Sequence, residues 1–63
     1  MNSPNWPQWL PKHLMTVREV ADVLRISERQ VRRFISDRRL SIVRVGRRVL
    51  IKPESIIELL DQD

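Results

Sequence analysis

Cysteine and tyrosine are absent from these 63 residues, and glycine, histidine and phenylalanine occur once each. Without cysteine there is no disulfide and no thiolate metal site, and His13 alone cannot complete a zinc shell unless several carboxylates are arranged round it. Neither a structural metal nor a cofactor is expected. Long apolar runs are also missing, so no membrane span is expected, and Met1-Asn2-Ser3-Pro4 lacks the basic and apolar regions of a secretory leader. These absences predict a cytoplasmic protein with no membrane partner. No Ser/His/Asp or Cys/His set can be assembled for catalysis, and Glu54, Glu58, Asp61 and Asp63 read as a solvated acidic end. The chain is not expected to be an enzyme.

A chain this short forms one domain and buries only about 60% of the surface that its unfolded state exposes, so the core must be compact and its stability modest. The net charge is +4, and its distribution is more informative than its size. From Arg29 to Lys52 nine basic side chains face one acid, Asp37, a surplus of eight. The other three basic and seven acidic side chains leave a deficit of four. Like charges gathered in one compact segment repel, and a polyanion that neutralises them is the commonest compensation. A polyanion is the partner this predicts.

Residues 1–13 hold Pro4, Pro7 and Pro11 together with Trp6 and Trp9. Each proline removes a donor and restricts its predecessor, so neither helix nor strand runs through this spacing and an extended arm is expected. Residues 14–63 carry the folding signals. Thr16 is an N-cap with Glu19 three positions on, a capping box, and Met15 and Val20 are placed as the hydrophobic staple across it. Val17, Val20, Ala21 and Leu24 share one face of the resulting helix, with Arg18, Glu19 and Asp22 opposite. After Arg25-Ile26, Ser27 opens a second helix in the same way, with Gln30 completing the box and Ile26 stapled to Val31. Two short helices joined by so brief a turn cross steeply, which is the helix-turn-helix arrangement. At 100° per residue Val31, Phe34 and Ile35 fall together, Arg29, Arg33 and Ser36 lie opposite, and Arg32 is at the flank.

From Leu40 the period becomes extended, and Ile42, Val43, Val45, Val49, Leu50 and Ile51 surround Gly46 as a β-hairpin. A loop of Gly46-Arg47-Arg48 places Val43, Val45, Val49 and Ile51 on one face and Arg44 on the other, whereas a two-residue turn at Gly46-Arg47 scatters the valines over both. The longer loop is the expectation. Pro53 suits the first position of a last helix, with Ile56, Leu59 and Leu60 as its buried stripe. Ile57 is left over, at the core's edge or as part of a protein contact.

These residues resemble the excisionase family of winged helix-turn-helix domains, relatives of the DNA-binding half of MerR-type regulators. The likeness covers Leu14 to about Leu60. It rests on Met15-Thr16-Val17-Arg18-Glu19-Val20-Ala21, the turn Leu24-Arg25-Ile26-Ser27, the helix Arg29-Gln30-Val31-Arg32-Arg33-Phe34-Ile35 and the wing Val43-Arg44-Val45-Gly46-Arg47-Arg48. The fold implied is mainly α with a small β-hairpin: helix-turn-helix, two-stranded wing, C-terminal helix. The resemblance implies that Ser27, Arg29, Gln30, Arg32 and Arg33 enter the major groove and that Arg44, Arg47 and Arg48 form the wing's contacts; Arg18 and Lys52 are, on their charge alone, candidate phosphate contacts. Because half to two-thirds of protein–DNA hydrogen bonds go to phosphate and sugar, base readout falls chiefly to Arg29, Gln30 and Arg33.

Three departures from the family's pattern stand out. Arg38 occupies the place commonly held by glycine after the second helix, so a left-handed cap there costs about 1 kcal/mol unless another helix ending replaces it. Leu50 stands where the wing is often basic, and the proline and tryptophan arm is not a family feature. Trp6, Trp9, Leu50 and Ile57 are the candidate protein contacts, although an arm aromatic most often covers the edge of a small core. The function implied is that of a recombination directionality factor acting in a bacterial host and nucleoid-associated when bound. It would bind cooperatively with further copies of itself, bend attachment-site DNA and assist a tyrosine integrase. The resemblance fits a small phage or plasmid transcriptional regulator almost as well. A protein-interaction adaptor or antitoxin is the alternative of another class.

Overall fold

The computed structural model describes residues 6–61. Met1-Asn2-Ser3-Pro4 and Asp63, discussed above, lie outside the described residues. The element order is α1 (Val17–Leu24), α2 (Glu28–Ser36), β1 (Ile42–Val45), β2 (Arg48–Ile51) and α3 (Pro53–Asp61). Three helices with one antiparallel two-stranded hairpin make the winged helix-turn-helix fold class that the sequence predicts.

α1 begins where its capping box dictates. The Glu19 N–H donates to Thr16 Oγ1 at 3.0 Å and the Thr16 N–H donates to Glu19 Oε1 at 2.8 Å. Two otherwise orphaned donors are satisfied by one short motif. Met15 and Val20, the staple pair, are both fully buried. α2 has half of the corresponding motif: the Gln30 N–H donates to Ser27 Oγ at 3.1 Å, but no reciprocal bond from the Gln30 side chain forms among the described residues. The Gln30 side chain is thereby left for the helix surface.

Both helices of the pair end in left-handed residues that are arginines. Arg25 has φ 59° and Arg38 φ 62°. At α2 the Arg38 N–H donates to Ile35 O at 3.0 Å and the Arg39 N–H to Phe34 O at 2.8 Å, a Schellman ending in which Arg38 takes the place usually given to glycine. At α1 the Ile26 N–H closes onto Ala21 O at 3.0 Å in the same manner. Each left-handed arginine carries a conformational cost of about 1 kcal/mol relative to glycine.

The hairpin differs from the expected register. Val45 pairs with Arg48, Arg44 with Val49, Val43 with Leu50 and Ile42 with Ile51, so the loop is the two-residue turn Gly46-Arg47. Gly46, at φ 61°, occupies the first central position, where a II′ turn needs positive φ. Residues opposite one another share a face. Ile42, Arg44, Val49 and Ile51 therefore form one face, and Val43, Val45, Arg48 and Leu50 the other. The expected burial of all the valines fails because only the base of the hairpin meets the core: Ile51 is fully buried and Ile42 packs on the core, whereas Val45 is 52% exposed. With no burial to enforce the other register, turn geometry decides.

The core consists of Leu10, Met15, Val20, Ala21, Val31, Leu40, Ile51, Ile56 and Leu59. Met15 and Ile51 exchange backbone hydrogen bonds of 3.0 and 2.7 Å, which joins the segment before α1 to the outer side of β2. The hairpin is thus tied to the helix pair by backbone as well as by side chains. Residues 6–13 form no helix or strand, as expected, yet they are not an extended arm. The Leu10 N–H donates to Pro7 O at 3.2 Å, the Trp6 indole N–H donates to Leu10 O at 2.9 Å, and Leu10 is buried. Prolines at this spacing forbid regular structure but permit a turn, and the turn places Leu10 and Trp6 against the core.

On α3, Pro53 is the first residue and Ile56 and Leu59 are buried, but Leu60 is 49% exposed, contrary to the expected stripe. Ser55 takes its place inside. It is buried, and its hydroxyl donates to Lys52 O at 2.6 Å, so a small, internally satisfied side chain lets that side of the helix approach the core. Ile57 packs at the core's edge.

Candidate nucleic-acid interface

The apolar side of α2 positions its polar side. Val31 is fully buried, and Phe34 and Ile35 pack beside it, which turns the opposite face outward. On that face Ser27, Arg29, Gln30, Arg32 and Arg33 come together round an open concavity of about 610 Å³. Ser36 and Asp37 complete its lining. Asp37 was not among the candidate residues, although its place one turn after Arg33 is the signal that could have found it. Gln30 is half-buried at the foot of this surface, and the arginines are exposed.

The arginines on the face are not equivalent. Arg32 Nη2 lies 3.5 Å from Glu28 Oε1, an exposed i,i+4 pair and the only ion pair among the described residues. Arg29 and Arg33 have no such partner among those residues, and the donors of their guanidinium forks face water. A planar fork with five donors matches both the guanine edge and the phosphate group. The surplus of positive charge is therefore largely uncompensated within the described chain.

The wing residues divide. Arg47 stands at the hairpin tip and is exposed; Arg44 and Arg48 are exposed on opposite faces of the ribbon. Arg18 is exposed on the outer side of α1, and Lys52 is exposed between β2 and α3, its N–H donating to Ser41 O at 2.9 Å. Neither lines the concavity on α2. Arg39 is half-buried with its guanidinium carbon 5.3 Å from the centre of the Phe34 ring, so its stem and charge cover the core's edge.

Among the candidate protein contacts, Trp6 is largely occupied by the fold, whereas Trp9 is 49% exposed. Leu50 is half-buried on the hairpin face that carries Val43 and Val45, and Ile57 is half-buried against the core. Glu19, in the capping box, is held below its ordinary carboxyl value, first by the bond from the Thr16 backbone N–H. Among the described residues no group of three or more His, Asp or Glu is arranged to hold a metal, and no helix is long and apolar enough to cross a membrane.

Comparison with known proteins agrees with this geometry. No curated protein and no solved structure gives a significant match. The profile of the helix-turn-helix domain family matches residues 14–63, which span α1, α2, the hairpin and α3. The chain belongs to the helix-turn-helix domain family, a DNA-binding family that includes excisionase-like proteins.

Proposed function

We propose that this chain is a recombination directionality factor, an excisionase that binds attachment-site DNA in several copies, bends it and promotes excision by a tyrosine integrase. The observation that carries the DNA-binding part is the outer face of α2, where Ser27, Arg29, Gln30, Arg32 and Arg33 line one open concavity. In this reading Arg29, Gln30 and Arg33 read base edges, while Arg47 at the tip, Arg44 or Arg48, Arg18 and Lys52 meet phosphate. The chain contributes no catalysis of its own; the chemistry belongs to the integrase.

The resemblance of the residues from Leu14 to Leu60 to excisionases supports the recombination role. Exposed apolar groups outside the basic face support contacts with a neighbouring copy or with the integrase: Trp9, Val45 and Leu60 are each about half exposed, at 49%, 52% and 49%. A contact between unlike surfaces extends along DNA, so the functional site should hold two or more repeats in direct orientation. Bending a site of this size costs about 1–6 kcal/mol, which added phosphate contacts offset.

Gel shifts and a bending assay on the attachment region, followed by recombination with the cognate integrase, test the proposal. Stepwise cooperative complexes, a bend and excision that depends on this chain support it. One dimer on an inverted repeat in a promoter, with integrase activity unchanged, overturns it in favour of a transcriptional regulator. Full function in a variant with Arg29, Arg33 and Arg47 all replaced by alanine and its DNA affinity lost would instead indicate a protein-interaction module.

A further inference from the structure

Positive φ in a non-glycine residue is uncommon, and this chain adopts it twice, both times at arginine: Arg25 after α1 and Arg38 after α2. Glycine would relieve the strain at either site. Both side chains are exposed, and neither guanidinium has a hydrogen-bond, ion-pair or aromatic partner among the described residues. Nothing the described fold does with these side chains compensates for the conformation they are held in. A cation near a helix C-terminus is favoured by the dipole, but that benefit does not exceed the conformational cost.

The positions of the two arginines supply the missing reason. Arg25 stands just before Ser27, the N-cap of α2, and Arg38 just beyond Asp37, its C-cap. They bracket the helix whose outer face is the basic concavity. α2 has nine residues, a length of about 13.5 Å at 1.5 Å per residue. The major groove is about 12 Å wide and is walled on both sides by phosphate. A helix about 10–12 Å across fills a groove of that width, so phosphates flank it along its length and lie within an arginine's reach of both of its ends.

We propose that Arg25 and Arg38 are phosphate clamps, one at each end of α2, and that folding stability is given up at both left-handed positions to keep a guanidinium there. The proposal rests on the reading of α2 as the helix that enters the groove. Their contacts are to backbone only, so they add affinity without sequence preference and position the helix between the two strands. Removing either one eliminates about one phosphate contact. This lowers the salt slope by about 0.9 and, on the same relation, the affinity by about five- to tenfold near 0.1 M salt.

The test uses the full chain, a labelled duplex of random sequence, titrations at several salt concentrations and thermal unfolding of the free protein. Arg25→Gly and Arg38→Gly should each raise the melting temperature by a few degrees and weaken binding with the smaller slope. Arg38→Lys, which keeps both the charge and the strain, should retain most of the affinity and the original melting temperature. Arg33→Ala, titrated beside the parent on the specific attachment-site duplex, monitors the placement of α2. If Arg33→Ala weakens binding and both glycine variants bind like the parent, the clamps are overturned and the placement of α2 stands; if all three bind like the parent, both fall. A glycine variant that melts lower than the parent also overturns the proposal, because the arginine would then serve the fold.

Discussion

Replacing Arg33 by alanine separates base reading from simple charge. Arg33 is exposed on the outer face of α2, lines the concavity and has no ion-pair partner among the described residues. Its removal should leave stability within about 0.5 kcal/mol of the parent, because no core contact or cap is lost. On the specific site, loss of a bidentate contact to a base edge should cost about 1–3 kcal/mol, roughly 5- to 150-fold in affinity, and should relax preference at one base pair. Arg32 provides the internal contrast. It already pairs with Glu28 at 3.5 Å, and an exposed i,i+4 pair is worth about 0.3–0.5 kcal/mol, so part of any DNA contact by Arg32 is offset by breaking that pair. Arg47, on the turn at the hairpin tip, should weaken all sequences alike when replaced by alanine and lower the salt slope by about 0.9. Binding isotherms on the site and on single-base variants, each at several salt concentrations, distinguish these effects. A change of base preference in Arg47→Ala with none in Arg33→Ala would refute the assignment of reading to α2 and of phosphate contact to the wing.

The capping box predicts a pH dependence. Glu19 is held below its ordinary 4.5 by the Thr16 N–H, so its contribution is present above that value and is lost as the pH falls through the lowered folded-state pKa. Glu19→Gln should flatten this acid limb of the denaturation profile, and Thr16→Ala should cost about 1 kcal/mol at neutral pH by urea unfolding. Ile51 is fully buried and paired to Met15; Ile51→Ala should cost about 2–5 kcal/mol. That is comparable with the whole stability of a 63-residue chain, about 3–9 kcal/mol, so circular dichroism should show substantial unfolding. Leu10→Ala should cost about 2 kcal/mol or more because Leu10 is buried. An unchanged midpoint would return residues 6–13 to the status of an appendage.

What the sequence determined by itself is what short-range chemistry controls. The start of α1 was legible from Thr16 and Glu19, that of α2 from Ser27, and that of α3 from Pro53, because each motif satisfies donors within one turn of itself. The basic face of α2 was legible for the same reason: once Val31, Phe34 and Ile35 must be inside, helical geometry puts Arg29 and Arg33 outside whatever the helix packs on. Tertiary structure decided what depended on where the core ends. The hairpin valines were expected to share a buried face, but the core reaches only the base of the ribbon, so the turn at Gly46 sets the register and Val45 faces water. Leu60 likewise lost its expected burial, because buried Ser55 brings the other side of α3 against the core. Leu10 and Trp6 could be placed only by a turn whose value depends on contacts distant in sequence. The left-handed backbone at Arg25 and Arg38 follows from the need to redirect the chain sharply after each helix, and that need is set by packing between helices rather than by the arginines that meet it.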